Sequence, residues 1–369
     1  MNWIKKHTVN IFLIIGSVVA TIVFIDIALH FTHYKYAIRR DNYPRYYFVK
    51  DDELGLDISL NFATGTHYFD DAAFPVWSNN IGCFDRDYTG ETPYIYMAGD
   101  SLTWSFVPFE DSWGKKIEEL LETRTVKCGV TGGYGTKQEY IKASRLFSKL
   151  PAPELIIVGY TKINDFDDDA NFPINTVHNG YLVKNLAKGG VTEAEAEEKY
   201  IRFDKYCTID ALTHPIIQRT RCFLGNYSVL YNLIKGDIRS KLPLVFPRLA
   251  RKLESMGVFA PQQVTPDVKS NTEYEKHLQN IVAFKNLAQS EGSKLLFVLG
   301  HFDNEKLKSF LEGEGIAYID LRLIFEEHSK TEPLIWPKDG HWNIAGNELV
   351  GRVVSDYIIE HNLIQTAKE

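Results

Sequence analysis

Five short apolar segments, each running into a glycine- or aspartate-bearing turn or a helical pattern, constrain this chain more than any other feature. They lie at residues 94–98, 125–128, 155–158, 294–299 and 317–321. Helical spacing accompanies them: Trp113, Ile117, Leu120 and Leu121 recur along 110–123, and helices are predicted over 137–149, 271–291, 304–313 and 343–361. Strands alternating with helices imply a parallel sheet covered on both faces. The expected class is therefore α/β, with five parallel strands. In such sheets ligands bind outside the carboxyl ends of the strands.

Other stretches break this rhythm. Residues 11–25 are apolar and uncharged, Lys5 and Lys6 precede them, and Asp26 falls near the far end. The stretch reads as a transmembrane anchor over 1–32. No small-x-small cleavage site follows it, which favours an anchor over a cleaved signal peptide. Residues 33–92 read as a lead-in of loops and short strands. The main domain is placed at 93–365, with a helical insertion at about 165–268. A short tail before the anchor and a large domain after it place that domain outside the cytoplasm.

Composition narrows the function. The chain is 44% hydrophobic and carries a formal charge of −7 without a long Lys/Arg block. A globular core is expected, and nucleic acid is excluded as a partner. Cys83, Cys128, Cys207 and Cys222 form no CxxC pair, so no metal site is expected. They read as unpaired thiols, with two disulfides as the alternative in an oxidising compartment.

The chemistry-bearing residues fall at the strand ends. Gly99-Asp100-Ser101 follows the first strand, where a serine is exposed at a corner beside free backbone N–H groups. Position 103 is threonine, so this is not the G-x-S-x-G elbow. Gly129-Val130-Thr131-Gly132-Gly133-Tyr134-Gly135 follows the second strand, and Asn164-Asp165 follows the third. Asp339-Gly340-His341-Trp342 precedes the last helix, where a carboxylate near an imidazole can orient it for proton transfer.

In the order of these four blocks the sequence resembles the SGNH (GDSL-type) hydrolase and acyltransferase family, and Asn80-Ile81-Gly82 resembles the lead-in of membrane-anchored members. The resemblance runs from about residue 79 to 359, leaving the insertion aside. It implies a three-layer α/β/α sandwich of flavodoxin-like type and no cofactor. It makes Ser101 the nucleophile, His341 the general base and Asp339 its orienting acid. It draws the oxyanion hole from the Ser101 N–H, Gly132 and Asn164. Many members carry the acid three residues before the histidine, where this chain has Lys338. Asp339, two before, matches the Asp-x-His-Trp block of sugar-acetylating relatives. The glycine turn carries one glycine more than the family pattern, which leaves Gly133 as a rival to Gly132.

The expected activity is an extracytoplasmic ester hydrolase or O-acyltransferase working on acylated carbohydrate or another ester. A membrane-bound acyl-transfer partner is expected in the transferase case. The alternative is an inactive membrane-tethered scaffold or glycan-binding protein. The acidic run 165–169 reads as a solvated loop rather than a cation site, and His301 as a packing or surface residue.

Overall fold

The computed structural model describes residues 2–32, 43–69, 72–162, 165–178, 180–184, 271–302, 304–337 and 340–365, with 220, 223–224, 227–231 and 233–234. These divide into two units. One comprises Met1–Asn42, Tyr68–Ala73 and Glu198–Asp267, and the other Tyr43–His67, Phe74–Glu197 and Val268–Glu369.

The first unit is built on helix α1 (Asn2–Leu29). Leu13, Ile14, Val18, Val19, Ile22, Val23, Phe24 and Ile27 are all exposed along it. Among the described residues, no helix is long and apolar enough to cross a membrane. Asp26 is engaged by protein rather than standing alone. Its Oδ1 accepts from Ser228 Oγ at 3.1 Å and from the Leu230 N–H at 2.8 Å.

Two small elements precede the second unit's sheet in the chain, the later of them divided between the units at Tyr68–Ala73. Strands β1 (Phe48–Asp51) and β2 (Gly55–Ile58) pair antiparallel. The two-stranded sheet of β3 (Gly65–Phe69) and β4 (Ala72–Val76) follows. The chain then runs through β5 (Tyr94–Gly99), α2 (Ser101–Trp104), α3 (Trp113–Leu121) and β6 (Arg124–Lys127). Next come α4 (Thr136–Phe147), β7 (Leu155–Tyr160), α5 (Asp165–Asn171) and the hairpin β8 (Asn175–His178) and β9 (Tyr181–Lys184). The C-terminal part holds α6 (Asn271–Glu291), β10 (Lys294–Leu299), α7 (Glu305–Glu314), β11 (Ala317–Asp320), α8 (Arg322–His328) and α9 (Ile344–Glu360).

The five expected strands form one parallel sheet in the order β11-β10-β7-β5-β6. Strands β5 and β7 are buried along their whole length, as central strands of a covered sheet must be. Alternate side chains feed two cores. Tyr94, Tyr96, Ala98, Ile156, Val158 and Phe297 meet Phe147 of α4 and Phe284 of α6. Ile95, Met97, Ile157 and Val298 meet Trp113 and Ile117 of α3 and Val350 and Val354 of α9. Helices cover both faces, which makes three layers.

Two expectations need correction. Cys83 and Cys128 are joined in a disulfide rather than left as free thiols, while Cys207 and Cys222 lie outside the described residues. The acidic run 165–169 is the start of α5, with Asp165 and Asp168 buried, not a solvated loop. The segment read as the lead-in holds the short strands β1 to β4, and its Tyr47, Phe48, Phe74 and Phe84 are buried.

Candidate active site

The sheet order places β5 between β6 and β7, so the direction of winding reverses at the carboxyl end of β5. Ser101 sits just beyond that end, at the first position of α2. Asp100 caps α2, its Oδ1 accepting from the Leu102 N–H at 2.9 Å and from Thr161 Oγ1 at 3.2 Å. The corner is tight. A Cβ on Gly99 or on Gly159 would come within 2.1 Å of Thr103 Oγ1, and one on Gly129 within 2.5 Å of the Trp104 nitrogen. Gly99 also has a φ of +147°, which disfavours any other residue.

His341 comes to this corner from the loop before α9. An antiparallel bridge joins Ile335 to Trp342, and the Trp336 N–H donates to the His341 carbonyl at 2.8 Å. Trp336 Nε1 donates to the Phe106 carbonyl at 3.0 Å, tying this loop to the segment after α2. The Phe106 ring stacks on the His341 imidazole, 3.9 Å between centroids and 18° between planes. His341 Nε2 then lies 2.8 Å from Ser101 Oγ. That is the reach a general base needs for a hydroxyl nucleophile.

The remaining predicted residues divide. Gly132 occupies the turn after β6 at φ +100°, and Gly133 follows at +83°. Asn175 Nδ2 donates to the Gly132 carbonyl at 2.5 Å, and Thr131 Oγ1 lies 2.7 Å from Tyr43 OH. The N–H groups of Ser101 and Gly132 meet no acceptor among the described residues. Asn164 and Asp339 lie outside the described residues.

The sequence matches no family model and no curated protein. Among solved structures, the chain is similar to a lipolytic protein of the G-D-S-L family from Desulfitobacterium hafniense DCB-2. That similarity is 13% identity and TM-score 0.36, over 72% of this chain and 99% of the other. A member of the lipolytic protein G-D-S-L family from Veillonella parvula DSM 2008 is similar at 11% and 0.37, over 72% and 98%. LAE5, an α/β hydrolase from the metagenome of Lake Arreo, is similar at 11% and 0.37, over 75% and 99%. Likeness this distant carries no function across.

Behind Ser101 lies a buried group of acids that sequence reading missed. Burial pushes the carboxyls of Glu139 and Asp165 well above their usual range, and the neighbouring Asp100 charge pushes further. Asp169 Oδ2 lies 2.7 Å from His277 Nδ1 and accepts from Asn280 Nδ2 at 2.8 Å. His277 Nε2 lies 3.0 Å from Tyr160 OH. The only local signal was the i, i+3, i+4 spacing of Asp165, Asp168 and Asp169, which puts them on one helical face. Among the described residues, no group of three His, Cys, Asp or Glu side chains is disposed to hold a metal ion.

A buried lysine supports the other end of α2. Lys127 Nζ donates to the Trp104 carbonyl at 2.7 Å and lies 4.3 Å from the centre of the Phe84 ring. Burial brings its pKa down to about 7, against the opposing pull of Asp85. His301, read as a packing or surface residue, makes packing contacts. Its ring lies against Phe325 and Phe302, and its Nδ1 is 3.0 Å from Trp342 Nε1.

Proposed function

We propose that this chain is a serine-dependent ester hydrolase or O-acyltransferase working outside the cytoplasm on acyl esters of cell-surface polysaccharide. The observation that carries the reading is the 2.8 Å separation of His341 Nε2 and Ser101 Oγ at the carboxyl end of β5. Ser101 Oγ attacks the ester carbonyl carbon while its proton passes to His341 Nε2. The tetrahedral oxyanion is received by the N–H groups of Ser101 and Gly132 and by the Asn164 amide. The carbon–oxygen bond to the alcohol breaks, and the alcohol leaves with the proton from His341. Water, or a sugar hydroxyl, then gives a proton to His341 and attacks the acyl-enzyme. Collapse returns the proton to Ser101 and releases the acid or the new ester. Asp339 holds the imidazole through this cycle.

Two observations support the setting. The Cys83–Cys128 disulfide suits an oxidising compartment. Exposed apolar side chains around α1, with Lys5 and Lys6 near its start, suit a helix that tethers the chain to a membrane. In the transferase mode, the acyl group would come from a membrane-bound partner. The polysaccharide preference rests on the Asp339-x-His341-Trp342 spacing. The test is labelling by a fluorophosphonate, with turnover of a small acetyl ester, in the full chain and in Ser101→Ala. Labelling and turnover that depend on Ser101 support the reading. A folded wild type that neither labels nor turns over favours the inactive scaffold.

A further inference from the structure

His301 lies two residues beyond the end of β10, beside the loop that carries His341. Trp342 Nε1 can only donate a hydrogen bond, so at 3.0 Å the His301 Nδ1 must accept. That settles the tautomer: the proton of the neutral ring is on Nε2. Protonation would set two N–H groups against each other and break the bond to Trp342, which is itself buried. Burial and the charge of His341 both lower the His301 pKa, in that order, and so also favour the neutral ring. The ring is clamped against Phe325, with planes 17° apart, and against Phe302, with centroids 4.0 Å apart. Nε2–H is therefore a fixed donor. It has no partner among the described residues and is not among the buried unpartnered atoms, so solvent reaches it.

We propose that His301 is a substrate-recognition residue whose Nε2–H donates to an oxygen on the alcohol side of the ester, selecting esters of polyols or sugars over those of simple alcohols. This rests on the acyl-enzyme reading above. In that reading His341 hands its proton to the departing alcohol, so the alcohol lies on the His341 side of Ser101. His301 is held to that side through Trp342, the residue next to His341. An alcohol bearing a second hydroxyl next to the ester oxygen offers the acceptor; ethanol does not. A site that hydrogen-bonds such an oxygen discriminates against the analogue that lacks it.

The experiment compares kcat/KM for glycerol monoacetate and ethyl acetate in wild type, His301→Asn, His301→Gln and His301→Phe. Wild type is expected to favour glycerol monoacetate by about fivefold, the worth of one neutral hydrogen bond. Asn keeps an acceptor for Trp342 near the Nδ1 position but has no donor at Nε2, so the preference should fall to about one, as with Phe. Gln places an amide N–H near the Nε2 position and should retain part of the preference. Ethyl acetate turnover should change little in all three. An absent wild-type preference, or one that survives in His301→Asn, overturns the proposal while leaving the acyl-enzyme intact. If all three variants fail to fold, the wild-type ratio alone decides. A wild type silent on both esters and unreactive with a fluorophosphonate overturns the underlying reading, and this inference with it.

Discussion

His341 Nε2 stands 2.8 Å from Ser101 Oγ although 240 residues of chain separate them. The contact joins the end of the first sheet strand to the loop before the last helix. His341→Ala is expected to lower kcat on a small acetyl ester by about a thousandfold, the range of a positioned general base. His341 is half-buried on a loop, so the melting temperature should change by only about 2 °C. Turnover within about twofold of wild type would remove His341 from the proton path.

Phe106 is the floor under the imidazole. Its ring is stacked on His341 and 3% exposed. Phe106→Ala should cost about 3–5 kcal/mol of stability in denaturant unfolding. Phe106→Leu refills most of the volume and should cost about 1–1.5 kcal/mol. Both should lower kcat, because a ring freed to rotate spends less time aligned with Ser101. A Leu variant with full kcat would show that other contacts suffice to hold His341.

Glu139 gives a pH signature. Both carboxylate oxygens are buried without a hydrogen-bond partner among the described residues, and its pKa is well raised in the folded state, chiefly by burial and then by Asp100. Folding therefore takes up a proton at neutral pH, and this group's contribution declines as pH rises from its unfolded value through its folded one. Glu139→Gln removes that proton uptake. The variant should be more stable than wild type at pH 7–8, with the gain fading toward about pH 4. Denaturant midpoints across that range check the slope. A gain independent of pH would show that the side chain is ionised in the folded protein.

The Cys83–Cys128 disulfide closes a loop with a sequence separation of 45 residues. It ties the lead-in to the strand end that precedes the glycine turn. Replacing both cysteines by serine should cost about 2–4 kcal/mol. Wild type should lose a similar amount under reducing conditions, and the serine variant should be indifferent to reductant. Equal midpoints with and without reductant would show that the bond contributes nothing to stability.

Much of the fold was legible because its signals are local. The run Leu155–Tyr160 is apolar at every position but one, which only a strand covered on both faces tolerates. The periodicity over 271–291 likewise appears as α6 (Asn271–Glu291). The site was legible as candidates, since glycine, serine and histidine at strand and helix ends are local too. The acidic run misled because four aspartates among five residues suggest solvent. Its burial becomes visible only once α5 is wound and one face is turned to Glu139 and His277.

By itself the sequence determined the α/β class, the five strands and the residue types available at their carboxyl ends. Backbone periodicity and the conformational demands of glycine act over a few residues and leave their mark in the order of the chain. The tertiary structure alone decided which of those residues meet. The stacking of Phe106 on His341, the bond from Trp336 to the Phe106 carbonyl and the tautomer of His301 join segments that are far apart in sequence. Such contacts depend on packing and on satisfying buried polar groups, which no single segment encodes.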